Sequence, residues 1–370
     1  MNGRGTGQAS PGIELLRQIG TPFDTGQRYA LPLESEALFG HAFKNRIGLL
    51  YLKNLKDSGR LENLAPEYEK LAYREAQTKL TAARAGSVLD GLHVDYVLFK
   101  TMRPFPATPN DVDIICLGGR RDYERAVRAF FDLGYRNLAG PAPMQILFVD
   151  PRGLAGKGVD AHKKGGIYYV DLYRAPSADY FVYIDPAKLR GETVRMKIDG
   201  LDGHRTSVLK PEVELAAILM HSVFPEKTFT LELFYTICRW LKEFDGRQME
   251  RFVRFSVENH IRFPVRACFT IAVVLHREAF GFVPAELERV AGELGGIYGP
   301  EASAFRAGGL DGPYHFLLSS FYLAFLRKLW DPASMRSLAV QGWHMLSPRF
   351  AAGVFRSLWR RTANGDYHQV

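Results

Sequence analysis

The sequence predicts an α+β protein in which a small mixed β-sheet is flanked by an N-terminal helical lead-in and a C-terminal helical portion. Three observations predict it. Apolar residues recur at helical spacing up to Gly91, short β-branched and aromatic runs replace them between Val94 and Leu209, and helical spacing returns from Pro211 onward. A chain of 370 residues with an apolar share of 46% can bury a core of that size.

Residues 1–12, rich in Gly and Ser, read as a mobile, disordered tail. Residues 13–92 form the lead-in, with Ala37, Leu38, Ala42, Ile47, Leu49, Leu50 and Leu52 at helical spacing and a second run from Tyr68 through Ala82 to Leu89. The α/β core spans 93–209. Val94 to Phe99 reads as a strand, followed by a proline-rich connection from Arg103 to Asn110 and a second strand from Asp111 to Cys116. A helix from Asp122 to Leu133, stopped by Gly134, presents Tyr123, Ala126, Val127, Phe130 and Phe131 to a sheet. Strands follow at Gln145–Val149 and Ile167–Leu172, then a hairpin of Glu192–Ile198 and Arg205–Leu209 around Asp199 to Gly203. The main boundary falls near Leu209. Residues 210–370 are the helical portion: Pro211–Val223, Leu231–Phe244, Met249–Ile261, Pro264–Phe280 and at least two helices between Tyr314 and Leu346. Pro211 suits a first helical turn, where its missing N–H costs nothing.

Cys116, Cys238 and Cys268 are far apart and lack metal-ligand spacing, which argues against a disulfide framework or a zinc site and fits a reducing, cytoplasmic setting. The opening MNGRGTGQASPG has no apolar leader segment, and no stretch reaches the roughly 18 uncharged apolar residues of a spanning helix, so neither secretion nor a membrane span is expected. A formal charge of +8 attracts polyanions such as RNA or nucleotide phosphates.

The chemistry lies in three aspartates. Alternation along a strand points Asp111 and Asp113 to one face and Val112 and Ile114 to the other. Two like charges side by side are destabilising unless a cation lies between them, and an oxygen-preferring divalent ion such as Mg²⁺ is the natural candidate. Asp171 interrupts the otherwise apolar run Ile167 to Leu172, where Asp is disfavoured. If its strand neighbours that of Asp111 and Asp113, the three carboxylates meet within about 6 Å and can hold two metal ions, the arrangement of phosphoryl and nucleotidyl transfer. The competing readings are a solvated strand end for Asp111 and Asp113, and for Asp171 a structural pair with an arginine such as Arg174.

The order strand, loop, Asp-x-Asp strand, helix, strand, Asp-bearing strand resembles the polymerase-β-type nucleotidyltransferase superfamily. Within it the chain is most similar to a bacterial and archaeal family of uncharacterised nucleotidyltransferases. The resemblance rests on Phe99-Lys100-Thr101, the Arg103 to Pro109 loop, Asp111-Val112-Asp113, Leu133-Gly134-Tyr135, Val170-Asp171-Leu172 and the helix from Leu209-Lys210-Pro211-Glu212 carrying His221, over roughly Leu38 to Phe244. It implies a nucleotidyltransferase core that uses Mg²⁺ or Mn²⁺ and an NTP. Asp111 and Asp113 would bind both metals, and Asp171 would bind the catalytic metal and orient the nucleophile. The wider superfamily has Gly-Ser after the first strand where this chain has Lys100-Thr101-Met102. Either Lys100 and the Thr101 hydroxyl, with Arg103 nearby, contact the triphosphate, or nucleotide binding is weakened.

The expected function is transfer of a nucleoside monophosphate from an NTP to a hydroxyl or amine of RNA or tRNA, a protein or a small molecule. The alternatives are a catalytically silent nucleotide- or RNA-binding protein and a membrane-surface adaptor using Phe350 to Arg361, a segment that otherwise reads as a closing helix with a basic face. Lys157, Lys163 and Lys164 read either as an acceptor groove or as a solvated loop. His221, among Leu215, Ile218 and Leu219, reads as a core histidine with no chemical role.

Overall fold

The computed structural model describes residues 10–23, 35–137, 144–154, 167–178, 181–198 and 205–345. Lys157, Lys163, Lys164, the Asp199–Gly203 turn and the Phe350–Arg361 segment lie outside the described residues. The protein is α+β, and its described residues fall into two compact units. One draws on Ala76–Met102, Pro109–Lys210 and Lys328–Val370, the other on Met1–Glu75, Arg103–Thr108 and Pro211–Arg327.

The chain opens with helices α1 (Pro11–Ile19), α2 (Ser35–Lys44), α3 (Gly48–Asp57) and α4 (Ala65–Gly91). Next come β1 (Tyr96–Phe99), β2 (Val112–Cys116), α5 (Arg120–Asp132), β3 (Arg136–Asn137), β4 (Gln145–Val149), the short α6 (Pro151–Leu154) and β5 (Tyr169–Tyr173). A small ribbon of β6 (Ser177–Ala178) and β7 (Phe181–Val182) precedes β8 (Thr193–Lys197) and β9 (Arg205–Leu209).

These strands build a seven-stranded sheet in the order β3-β4-β5-β2-β1-β9-β8. It is mixed: β2 runs parallel to β5 and β1 parallel to β9, while β1–β2, β4–β5, β3–β4 and β8–β9 are antiparallel. Alternation sorts its side chains. Leu98, Val112, Ile114, Phe148, Val170 and Leu172 join Ala82, Ala85 and Leu89 of α4 and Tyr123, Ala126 and Phe130 of α5 in one buried cluster. The odd-numbered residues of β2 and β5 are thereby turned to the other face. Helix α4 comes close to the sheet at Gly86, where a Cβ would sit 2.7 Å from the Tyr96 hydroxyl. Ala82, Ala85 and Leu89 of α4 enter the sheet's core, whereas residues up to Glu75 group with the C-terminal helices.

The helical unit continues with α7 (Pro211–His221), β10 (Thr228–Phe229), α8 (Leu231–Glu243), α9 (Gly246–Glu258), α10 (Arg262–Phe280), α11 (Ala285–Glu293), α12 (Gly299–Ala307), β11 (Tyr314–His315) and α13 (Leu318–Lys328), and α14 (Pro332–Met345) closes the described chain in the sheet unit. Helix α10 is buried nearly end to end, because apolar residues occupy every side of Val265 to Leu275 and such a helix is stable only as a core element. A capping box at α9 joins the Asp245 carboxylate to the Gln248 N–H and the Gln248 side chain to the Asp245 N–H.

Helix α1 overlaps the stretch read as tail. Ser10 caps it, Pro11 starts it, and Ile13, Leu15 and Leu16 are buried. Gly12, which looks like a tail residue, marks a close approach: its N–H donates to Asp311 Oδ1 at 3.1 Å, and a Cβ there would lie 2.8 Å from that oxygen. Residues 1–9 lie outside the described residues. Helices α11 and α12 are nine residues each in a stretch punctuated by glycines, which hides their periodicity. No helix among the described residues is long and apolar enough to cross a membrane.

Candidate metal centre

Asp113 and Asp171 are register partners across the parallel β2–β5 pair, so both side chains leave the same face of adjacent strands. Asp111 immediately precedes β2 and shares that face by alternation. One carboxylate oxygen from each of the three lies within 4.8 Å of the others. Asp113 and Asp171 are buried, and Asp111 is partly exposed.

Neighbouring strands supply the surroundings. Asp113 pairs in register with Phe99, so the chain leaving β1 passes the cluster. Lys100 Nζ lies 3.4 Å from Asp113 Oδ1. The Thr101 hydroxyl accepts the Asp113 N–H at 3.0 Å and donates to the Phe99 carbonyl at 3.2 Å, which commits it to the backbone of the strands. From β4, Gln145 Nε2 donates to Asp171 Oδ2 and also to the Tyr173 hydroxyl at 3.4 Å. Asp171 Oδ1 and Asp113 Oδ1 are buried with no hydrogen-bond partner among the described residues, although Lys100 is close to the second.

This arrangement strains the ionised state. Burial, reinforced by Asp111 and opposed by the Tyr173 hydroxyl, Lys100 and Gln145, pushes Asp171 up to about 7. Burial and then the charge of Asp111 push Asp113 well above the ordinary carboxylate range, with Lys100 pulling back. Tyr173 is driven upward by burial and the three aspartates and stays a neutral hydroxyl. Asp150, at the end of β4 in the same unit, behaves in the opposite way. It is fully buried, yet hydrogen bonds and charge from Arg152, with the charge of Arg84 behind them, outweigh that burial and hold it below the ordinary range. Asp150 is thus satisfied by hydrogen bonds from Arg152, whereas Asp113, despite the nearby Lys100, and Asp171 each keep one oxygen without a hydrogen bond among the described residues.

Hard oxygen donors from three carboxylates, two of them buried with an unbonded oxygen, fit a divalent cation such as Mg²⁺ or Mn²⁺. Arg174 does not pair with Asp171: its side chain makes no hydrogen bond or ion pair among the described residues. Arg103, expected at the nucleotide, belongs to the helical unit, where Nε bonds Glu232 Oε1 at 2.9 Å and both side chains are nearly buried. His221 is also in the helical unit, 3.6 Å from Glu226. Replacing His221 by Gln is expected to leave any activity of the aspartate centre, measured per folded molecule, within about tenfold of wild type, because His221 belongs to the helical unit and has no part in the cluster.

Gln145 and Tyr173 escaped the sequence reading. Their placement depends on the antiparallel pairing of β4 with β5, in which Gln145 faces Tyr173. A cavity of about 500 Å³ lies elsewhere in the unit, lined by Cys116, Met144, Val182, Arg174, Arg190 and Arg336 among others. Cys116 shares the buried face of Val112 and Ile114, opposite that of the carboxylates. No protein-family model and no curated protein matches this chain.

Proposed function

We propose that the sheet unit is a metal-dependent nucleotidyltransferase core that moves a nucleoside monophosphate from an NTP to a hydroxyl or amine. The observation that carries the reading is the pair of buried oxygens without a hydrogen bond among the described residues, Asp113 Oδ1 and Asp171 Oδ1, gathered with Asp111 in one cluster. Asp111, Asp113 and Asp171 would hold Mg²⁺ or Mn²⁺, which when bound neutralises phosphate charge and polarises the reacting oxygens. Gln145 fixes Asp171 through one oxygen and leaves the other free to orient the attacking group. Lys100 brings a positive charge for the triphosphate, and Thr101 braces the turn that carries it. In the reaction the acceptor oxygen or nitrogen bonds to the α-phosphorus, the bond from that phosphorus to the bridging oxygen breaks, pyrophosphate leaves and the acceptor loses its proton. Positioning and charge neutralisation carry such a transfer, so no histidine base is assigned.

The commitment of the Thr101 hydroxyl to two backbone groups removes one expected triphosphate contact, which favours a second reading, a catalytically silent nucleotide- or RNA-binding protein. Incubation with each α-labelled NTP, Mg²⁺ or Mn²⁺ and total RNA separates the two. Label in RNA or in the protein itself supports the enzyme. Nucleotide-dependent thermal stabilisation without any transfer supports the silent binder.

The metal-free protein is expected to lose stability as pH rises. Asp171 titrates at about 7 in the fold against an ordinary carboxylate value in the unfolded chain, so between about pH 4 and 7 the folded state holds the extra proton. Stability therefore falls with pH across that window, by on the order of 4 kcal/mol, and Asp113 acts in the same direction. Melting temperatures in chelator should be lower at pH 8 than at pH 5.5, and the increment from Mn²⁺ should be larger at pH 8, because the ion must displace protons at the lower pH. A rise in metal-free melting temperature from pH 5.5 to 8 would contradict the electrostatics described for the cluster.

A further inference from the structure

Strand β1 ends at Phe99, and the next residue, Lys100, takes φ +48°, a left-handed conformation uncommon for a residue with a long side chain. The turn is braced on both sides by the Thr101 hydroxyl, bonded to the Phe99 carbonyl and to the Asp113 N–H. Its result is that the Lys100 ammonium, largely shielded from solvent, lies 3.4 Å from Asp113 Oδ1. That oxygen accepts no hydrogen bond among the described residues, which leaves it available to a cation. A Mg²⁺-type ion binds oxygen at about 2.1 Å and repels a neighbouring ammonium, so the two cations compete for one oxygen. An incoming triphosphate changes the balance, because it gives the ammonium a second anion to move to.

We propose that Lys100 is a built-in competitor for the metal, so that the centre takes a divalent cation together with a triphosphate in preference to the free cation. The proposal rests on the nucleotidyltransferase reading of the three aspartates and adds a specificity for metal–triphosphate over metal alone. Because coupling between two ligands is reciprocal, the triphosphate tightens metal binding by the same factor as the metal tightens triphosphate binding. Lys100 acts here through Asp113 as a positioning residue, and its long, flexible side chain can swing from carboxylate to phosphate while its backbone stays in place.

The test is Mn²⁺ binding to the full chain, read from the electron paramagnetic resonance signal of free Mn²⁺. It is run with and without each of the four α,β-methylene NTPs, which nucleotidyl transfer cannot cleave, after subtraction of the Mn²⁺ held by the analogue alone. For wild type at least one analogue should tighten Mn²⁺ binding about 5- to 150-fold, the usual range of such couplings. Lys100→Met should bind Mn²⁺ alone more tightly than wild type by a comparable factor and lose most of the analogue's effect. Lys100→Gly, which removes the ammonium and accepts the left-handed backbone without strain, should behave as Lys100→Met does and serves in its place if the methionine variant does not fold. Wild type and the variants binding Mn²⁺ alone equally well overturns the competitor role and leaves the metal centre standing. No Mn²⁺ binding by any of the three proteins, with or without analogue, overturns the metal centre and the competitor role together.

Discussion

Asp113→Asn is expected to melt above wild type in chelator at pH 8, to gain almost nothing from millimolar Mg²⁺ or Mn²⁺, and to lose the proposed transferase activity by on the order of a hundredfold or more, since even residues that only support a metal ligand are worth about 10- to 100-fold. Asparagine keeps the shape and removes one charge from a cluster in which burial and Asp111 already oppose ionisation of Asp113. The repulsion relieved in the metal-free protein is the attraction lost to the cation, so the two melting shifts have opposite signs. For wild type the metal increment follows from binding to the folded state alone, about 2.7 kcal/mol at a hundredfold excess over Kd. Asp150→Asn is the internal control. Asp150 accepts from the Arg152 N–H, Nε and Nη2 and from the Tyr135 hydroxyl, so its neutralisation strips partners from buried donors and should lower the melting temperature with or without metal. An Asp113→Asn protein that melts below wild type in chelator, beside a wild type indifferent to both metals, would falsify the metal centre.

Arg103→Met is expected to cost about 3–5 kcal/mol of stability, the usual penalty for removing one partner of a buried ion pair. The Arg103–Glu232 contact is 2.9 Å, and each side chain is only 9% exposed, so the variant leaves the Glu232 carboxylate buried without its cation. Urea denaturation should show the loss, and Arg103→Met combined with Glu232→Gln should recover much of it, because no charge is then stranded. A stable Arg103→Met protein with weakened triphosphate binding would return Arg103 to the nucleotide and make the Glu232 pair incidental.

The parts of the centre that were legible in the sequence depend on local rules. Asp111 and Asp113 share a face through simple alternation, and Asp171 stood out because a charge rarely interrupts an apolar strand. The strands carrying them were found within a residue or two, since β-branched runs bounded by turn residues are a local signal. The remainder depends on pairings between distant segments. Gln145 looks like any polar residue at a strand start until β4 lies antiparallel to β5 and brings its amide to Asp171. Thr101 and Arg103 each carried the right chemistry for a phosphate, but Thr101 bonds across the strands to Asp113 and Arg103 pairs with Glu232, residues 12 and 129 positions away. The left-handed turn at Lys100 has no glycine or asparagine to announce it. Helix α1 was hidden because a close-packed Gly12 and a capping Ser10 have the composition of a tail.

The register match of Asp113 with Asp171 divides what in this protein is free to vary from what is not. Parallel strands lie about 4.8 Å apart whatever joins them, so the gauge of the carboxylate pair is inherited from backbone hydrogen bonding and owes nothing to the length or composition of the connections. Changes in the turn at Lys100 and Thr101, which follows β1 at the Asp113 end of the pairing, can remodel what approaches the cluster without altering its width. A one-residue slip of β5 against β2 would instead turn Asp171 into the apolar layer and bring Val170 or Leu172 out in its place. The sheet thus holds the dimensions of the centre constant, and the loops are the part of the chain through which its surroundings can drift.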